Sequence, residues 1–187
     1  MQSSLQEKII DIRRIVTGHD GQGHSIVISD ARHHVPFQSL PGFANTLLWA
    51  SDGVPQVGVP GAADPVGAVA SFVPAPGGTR LMLVTVPPDS AMASPSFDGA
   101  AYAQELVQKA PGFLEVFEPD APGMHTTDTL DYGVLLDGEV WLELDDGQAV
   151  KLGQHDLVVQ NGTRHAWRNR SDRPATLLFV LLGARRG

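Results

Sequence analysis

The stretch HTTDTLDYGVLLDGEVWLEL, residues 125–144, decides the fold. Val134 to Leu136 and Val140 to Leu144 are apolar and β-prone, and the pair between them, Asp137-Gly138, accepts the positive φ values of a type I′ turn. The spacing predicts a hairpin, with Glu139 and Glu143 alternating with apolar neighbours on a solvated outer face. A second tight turn follows at Asp145-Asp146-Gly147. Beyond it, Leu157 to Val159, His165 to Asn169 and Thr176 to Leu182 continue the series at intervals typical of a closed or sandwiched antiparallel sheet.

Upstream, Arg13 to Gly18 and Ser25 to Ser29 flank a turn containing Asp20, Gly21 and Gly23, which predicts another hairpin. Asn45 to Ala50 and Arg80 to Val86 are two further strands. Between them residues 52–78 hold Pro55, Pro60, Pro65, Pro74 and Pro76, which disfavour ladder hydrogen bonds. Val69 and Phe72 give this segment something to dock with, so it reads as a packed arm, a lid being the other reading. One helix is expected: Ser96 caps it, Asp98 sits in its first turn, Ala101, Leu106 and Val107 lie against the outside of the barrel, and Pro111-Gly112 stop it.

The composition agrees with a turn-rich β protein: 187 residues, 42% hydrophobic and 18% charged, with 20 glycines and 14 prolines. A net charge of -8 lacks the positive field that holds a phosphate backbone or an anionic membrane, so nucleic acid and membrane partners are not expected. No cysteine is present, so a metal would have to bind through histidine and carboxylate. Met1 to Ile10 offers neither a secretory segment nor a transmembrane span, and a cytoplasmic location is the default expectation.

Residues 125–138 resemble the first motif of the cupin superfamily, G-x5-H-x-H-x3,4-E-x6-G, with His125, Thr127, Asp131 and Gly138 at the four last positions. Thr127 stands for the second histidine and Asp131 for the glutamate. Gly162, His165 and Asn169 match the second motif, and Gln160 replaces its proline. The resemblance implies an all-β fold: a double-stranded β-helix (jelly-roll) barrel at 112–184 preceded by a β extension, with the long loop and one short helix, at 9–110, the whole 1–187 forming a single domain. It also implies a homodimer and kinship with a group of small bacterial cupins, without implying a particular reaction.

The residues themselves supply the chemistry. Side chains alternate along a strand, so His125 and Thr127 share a face, and a bend near Asp128 to Leu130 would let Asp131 rejoin them while a later strand brings His165 opposite. Two imidazoles and a carboxylate suit divalent iron, with zinc, manganese or nickel also possible, and Thr127 would position a water. The same three groups without metal make a general acid/base set for isomerisation, dehydration or decarboxylation. Asp131 has a structural alternative in pairing with Arg164 or Arg168.

A pocket lined by Thr127, Trp167, Val134 and Val159 is expected for a small-molecule ligand. A metal-dependent enzyme and a non-catalytic ligand-binding or sensory barrel both remain open. Ile15, Ile26, Val27 and Ile28 in the first hairpin are also suited to joining a partner's sheet edge in a homodimer.

Overall fold

A computed structural model describes residues 10–187, so the reading of the amino terminus lies outside them except at Ile10. Its strands are β1 (Ile12–His19), β2 (Ser25–His33), β3 (Ala44–Ser51), β4 (Thr79–Val86), β5 (Thr129–Asp137), β6 (Val140–Glu143), β7 (Ala149–Leu152), β8 (Leu157–Asn161), β9 (Ala166–Arg168) and β10 (Ala175–Gly183). The helix α1 (Gly99–Lys109) precedes β5. Along β5 burial alternates: Thr129, Asp131, Gly133 and Leu135 are buried, while the residues between them are half-buried or exposed. That period of two sets which face looks into the molecule.

Five strands form one sheet in the order β3-β4-β10-β5-β8, three form a second in the order β7-β6-β9, and β1-β2 stand as a hairpin of their own. All paired strands are antiparallel. Leu47, Met82, Leu135, Leu177, Phe179 and Leu181 of the large sheet share one buried cluster with Val140, Leu142 and Leu152 of the small one. Each such side chain contributes roughly 1.5–3 kcal/mol by leaving water. At the centre Gly133 pairs with Phe179, and a Cβ on that glycine would lie 2.7 Å from the Phe179 ring, so its absence gives the ring its place. This is the double-stranded β-helix of the expected all-β class.

Two local expectations are corrected. The Asp137-Gly138 turn does not close a hairpin, because β5 pairs with β10 and β8 whereas β6 pairs with β7 and β9. Gly138, at φ 88°, turns the chain from one sheet to the other, packed against Ala175. Leu135 and Val140 can then enter the same core from opposite layers. The true hairpin is the next one, β6-β7 around Asp145-Asp146-Gly147, where Leu144 N donates to Gln148 O at 2.7 Å.

The helix begins three residues later than Ser96. Asp98 is its cap, its carboxylate accepting from the backbone N–H of Ala100 (2.9 Å) and Ala101 (3.0 Å), while the Ser96 hydroxyl bonds to that of Ser94. Of the expected apolar stripe, Leu106 is buried in the core and Val107 is exposed. Glu105 ties the helix to the loop before β3 by accepting from Gln38 N, Ser39 N and Ser39 Oγ and pairing with Lys109. Burial alone would raise that carboxyl, but the hydrogen bonds from Lys109, Ser39 and Gln38 outweigh it and bring it down to about 2.

The arm is packed. Phe72 is 8% exposed within the main cluster and meets Phe113 edge-on. Arg80, buried in β4, donates to Ser71 O and Ser51 O and pairs with Asp52, so one guanidinium holds the arm near both its ends. A cavity of about 260 Å³ remains between β3, the arm and the end of α1.

Candidate functional site

His125 and His165 meet as an isolated antiparallel bridge, each backbone N–H donating to the other's carbonyl at 2.9 and 3.0 Å. Directly opposed residues point the same way, and the ring centroids lie 4.2 Å apart. Each Nδ1 faces a backbone carbonyl two residues earlier, Gly123 O at 3.0 Å and Thr163 O at 2.9 Å. A carbonyl only accepts, so both Nδ1 atoms carry the proton and both neutral rings present an Nε2 lone pair. Burial pushes His125 below its ordinary range. Burial and then the neighbouring His125 push His165 down to about 4.

From His125 a row of inward polar groups runs along the chain: His125, Thr127, Thr129 and Asp131 are all buried, with the expected bend at Asp128. The Thr127 and Thr129 hydroxyls bond to each other at 2.7 Å. Burial raises the Asp131 carboxyl to about 6, against a hydrogen bond from Thr129 that pulls it down. Neither arginine takes this carboxylate: Arg164 pairs with Glu118 and Asp145, and Arg168 with Glu143.

Asp131 Oδ1 is buried without a partner, and so is Gln160 Nε2, on the residue opposite it across β5 and β8. The Gln160 carbonyl oxygen is engaged by the Thr163 hydroxyl at 2.7 Å. A buried acceptor and a buried donor left open side by side are uncommon in a finished core. Gln160 was not among the expected site residues. Its signal was its place where the second motif holds proline, an apolar position exchanged for a polar one on an inward strand face.

The remaining expected site residues divide. Trp167 is half-buried, edge-on to His165 at 5.8 Å and against Phe179 at 5.4 Å, and walls the imidazole pair. Val134 and Val159 do not line the interior. Val134 alternates out of phase with Asp131, and Val159, 54% exposed, out of phase with Gln160, so both lie on the outer face of the large sheet. Strand period alone carried that information. Asn169, which closes the second motif, is fully buried and structural: its Nδ2 donates to Val86 O and Arg173 O.

The donor chemistry of the two imidazoles suits a divalent ion, since the Gly123 and Thr163 carbonyls fix their tautomer and leave each Nε2 free to donate its lone pair. The third ligand does not join them: among the described residues no group of three His, Asp or Glu side chains is arranged to hold a metal ion. Asp131 is instead linked to the threonine row. The site as it stands is an imidazole pair at one end of that row and an Asp-Gln pair at the other. A cleft of about 350 Å³ opens beside the row, lined by Asp128, Thr129, Gly162 and Arg186 among others. No described helix is long and apolar enough to cross a membrane.

Residues 113–181 match the cupin domain family. The chain is 31% identical over 173 residues, 92% of its length and 78% of the relative's, to the phomopsin biosynthesis cluster protein C′ of Diaporthe leptostromiformis. It is 37% identical over 62 residues to the cupin-domain-containing oxidoreductase virC of Hypocrea virens, a match covering 32% of each chain. Among solved structures, the cupin domain of an XRE family transcriptional regulator from Enterobacter cloacae matches 57% of this chain and 83% of its own at 17% identity, with a TM-score of 0.36. Both curated relatives are fungal, where the motif resemblance pointed to bacterial proteins. With both motifs on facing strands of the barrel and a relative matched over most of its length, the chain belongs to the cupin superfamily.

Proposed function

We propose that this cupin acts on a small organic molecule by proton transfer, with His125 and His165 as the bases and Asp131 as an acid/base group titrating close to neutrality. The observation that carries the reading is the pair of buried, neutral imidazoles whose Nδ1–H groups are tied to carbonyls, leaving two Nε2 lone pairs side by side. Such a base removes a proton from carbon next to a carbonyl. Returning that proton at a neighbouring atom is an isomerisation, and returning it to a departing hydroxyl, which leaves as water, is a dehydration. Trp167 offers a flat wall for the substrate, and Thr127 a hydroxyl to orient it.

The test is deuterium incorporation from D2O into a panel of keto acids and other enolisable carbonyl compounds, followed by proton NMR. The expected result is exchange that falls about 100-fold or more in His165→Ala and His125→Ala, the usual worth of a positioned base. Exchange equal in wild type and both variants sinks the proposal.

The curated relative named an oxidoreductase supports small-molecule action but aligns over only a third of each chain. A redox reaction needs an electron carrier that His, Thr, Asp and Gln side chains cannot themselves supply. Elemental analysis of protein purified without added metal, together with oxygen uptake, reads that case. Stoichiometric iron, zinc, manganese or nickel that disappears in His125→Ala would replace unassisted proton transfer with metal assistance.

Thr127 in place of the motif's second histidine, together with the open Asp131–Gln160 pair, also favours a barrel that binds without turnover. A thermal-shift screen against small acids, sugars and aromatics would then show stabilisation by a compound that comes through unchanged.

A further inference from the structure

We infer that the cavity between β3, the arm and the end of α1 is a second ligand site, taking a neutral molecule about the size of one substituted ring, apolar over most of its surface and carrying a single hydroxyl. Its apolar walls are Leu47 of β3, Val66, Val69 and Phe72 of the arm, and Pro111 just after the helix. His125, Thr127, Asp131, His165 and Trp167 are not among its lining residues, so the site is separate from the imidazole pair. Its volume of about 260 Å³ exceeds the roughly 150 Å³ in which an apolar cavity already admits benzene.

One polar side chain gives this cavity its selectivity. Asn45 is 5% exposed, and its Oδ1 is buried without a hydrogen-bond partner among the described residues. Strand alternation places it on the same face of β3 as Leu47, so both join the cavity wall. Asparagine is depleted in strands, and an unpaired buried amide costs folding free energy, whereas an aliphatic side chain opposite Val84 would pack without that cost. A carbonyl oxygen only accepts, so the missing partner is a donor, and a hydroxyl, which donates and accepts, can meet either end of the amide. The charged residue in the wall, Lys109, is already engaged, pairing with Glu105 and donating to Pro36 O. The cavity therefore holds no free charge for an anion, and its ligand is neutral.

The walls are fixed in advance. Phe72 N donates to Pro111 O at 2.7 Å, joining the arm to the end of the helix. Asp64 pairs with Arg14 and accepts from Val66 N at 3.0 Å, which holds the other side of the arm. Walls already set lose little conformational freedom when a ligand enters. Gln108 of α1 belongs to the same lining and is exposed, so the cavity opens to solvent beside the last turn of the helix.

The experiment follows the amide NMR spectrum and melting temperature of the full chain during titration with phenol and benzyl alcohol. Toluene, which lacks the hydroxyl, and benzoate, which is charged, are the controls. At least one alcohol is expected to saturate a single site, with toluene about ten-fold weaker, the worth of one buried hydrogen bond, and benzoate not binding. The resonances that move are expected to be those of Asn45, Val69 and Phe72, and His165→Ala is expected to bind as wild type does. Asn45→Leu, close in size, is expected to erase the alcohol's advantage over toluene. Val69→Trp, which fills the cavity from the arm, is expected to abolish both, and it keeps the test readable if Asn45→Leu does not fold. Absence of saturable binding by either alcohol overturns the inference, as does binding lost in His165→Ala, an alcohol preference kept by Asn45→Leu, or binding that survives Val69→Trp.

Discussion

Asp131 is costly for stability at the very position where the proposed function places an acid/base group. Its carboxyl, ordinarily near 3.8, is raised to about 6 by burial. A group raised in the folded state contributes stability that is fully present below its ordinary value and is lost as pH rises through the folded one. At pH 8 the buried carboxylate is therefore a net cost. Asp131→Asn is expected to raise stability by about 2 kcal/mol at pH 8, with the gain gone at pH 3.5, while deuterium exchange declines. Urea unfolding at the two pH values checks it; a variant less stable than wild type at pH 8 would mean that the carboxylate has a partner in the folded protein. That His125, Thr127 and Asp131 share an inward face was legible from strand alternation. Which group each one meets was not, because Thr129 and Gln160 reach Asp131 through hydrogen bonding and strand register, neither of which a single strand encodes.

At the scale of elements, identical local chemistry serves different connections. Asp137-Gly138 carries the composition of a hairpin turn yet links two sheets, and its glycine does the same conformational work in either role. Gly138→Ala is expected to cost about 2–4 kcal/mol, because φ is 88° and the new Cβ would meet Ala175 Cα at 2.7 Å. Denaturant midpoints at constant m-value check this, and a loss below half a kcal/mol would show that the corner relaxes. The helix makes a second case. Glu105, depressed to about 2, contributes stability present above its ordinary 4.5 and lost as pH falls through 2. Glu105→Gln is expected to destabilise by about 1–2 kcal/mol at pH 7, with the two proteins converging near pH 2, as melting temperatures across that range would register. The helix itself was readable from its stripe and its Pro-Gly stop. The cap shifted from Ser96 to Asp98 because a carboxylate two residues on can accept from two backbone N–H groups at once.

Over the whole molecule, the barrel is completed by parts that are not strands. The arm contributes Phe72 to the core that both sheets share, and Arg80 clamps the arm at Asp52 and Ser71. Phe72→Ala is expected to cost about 3–4 kcal/mol, with faster hydrogen exchange in β3, whose Asn45 and Leu47 line the same cavity as Phe72; unchanged exchange there would identify the arm as a loose cover. The sequence by itself determined the class and most of the strands, since period-two alternation, glycine turns and motif spacing are local properties written residue by residue. It also pointed to the candidates for chemistry, two histidines at motif positions and Asp131, while leaving Arg164 and Arg168 open as partners for that acid. Only the tertiary structure decided that β5 and β6 belong to different sheets, that the imidazoles pair with each other and not with Asp131, and that Val134 and Val159 face outward. Those outcomes depend on which strands become neighbours, and neighbours are chosen by burying both sheets' apolar faces against one another, a condition on the whole chain at once.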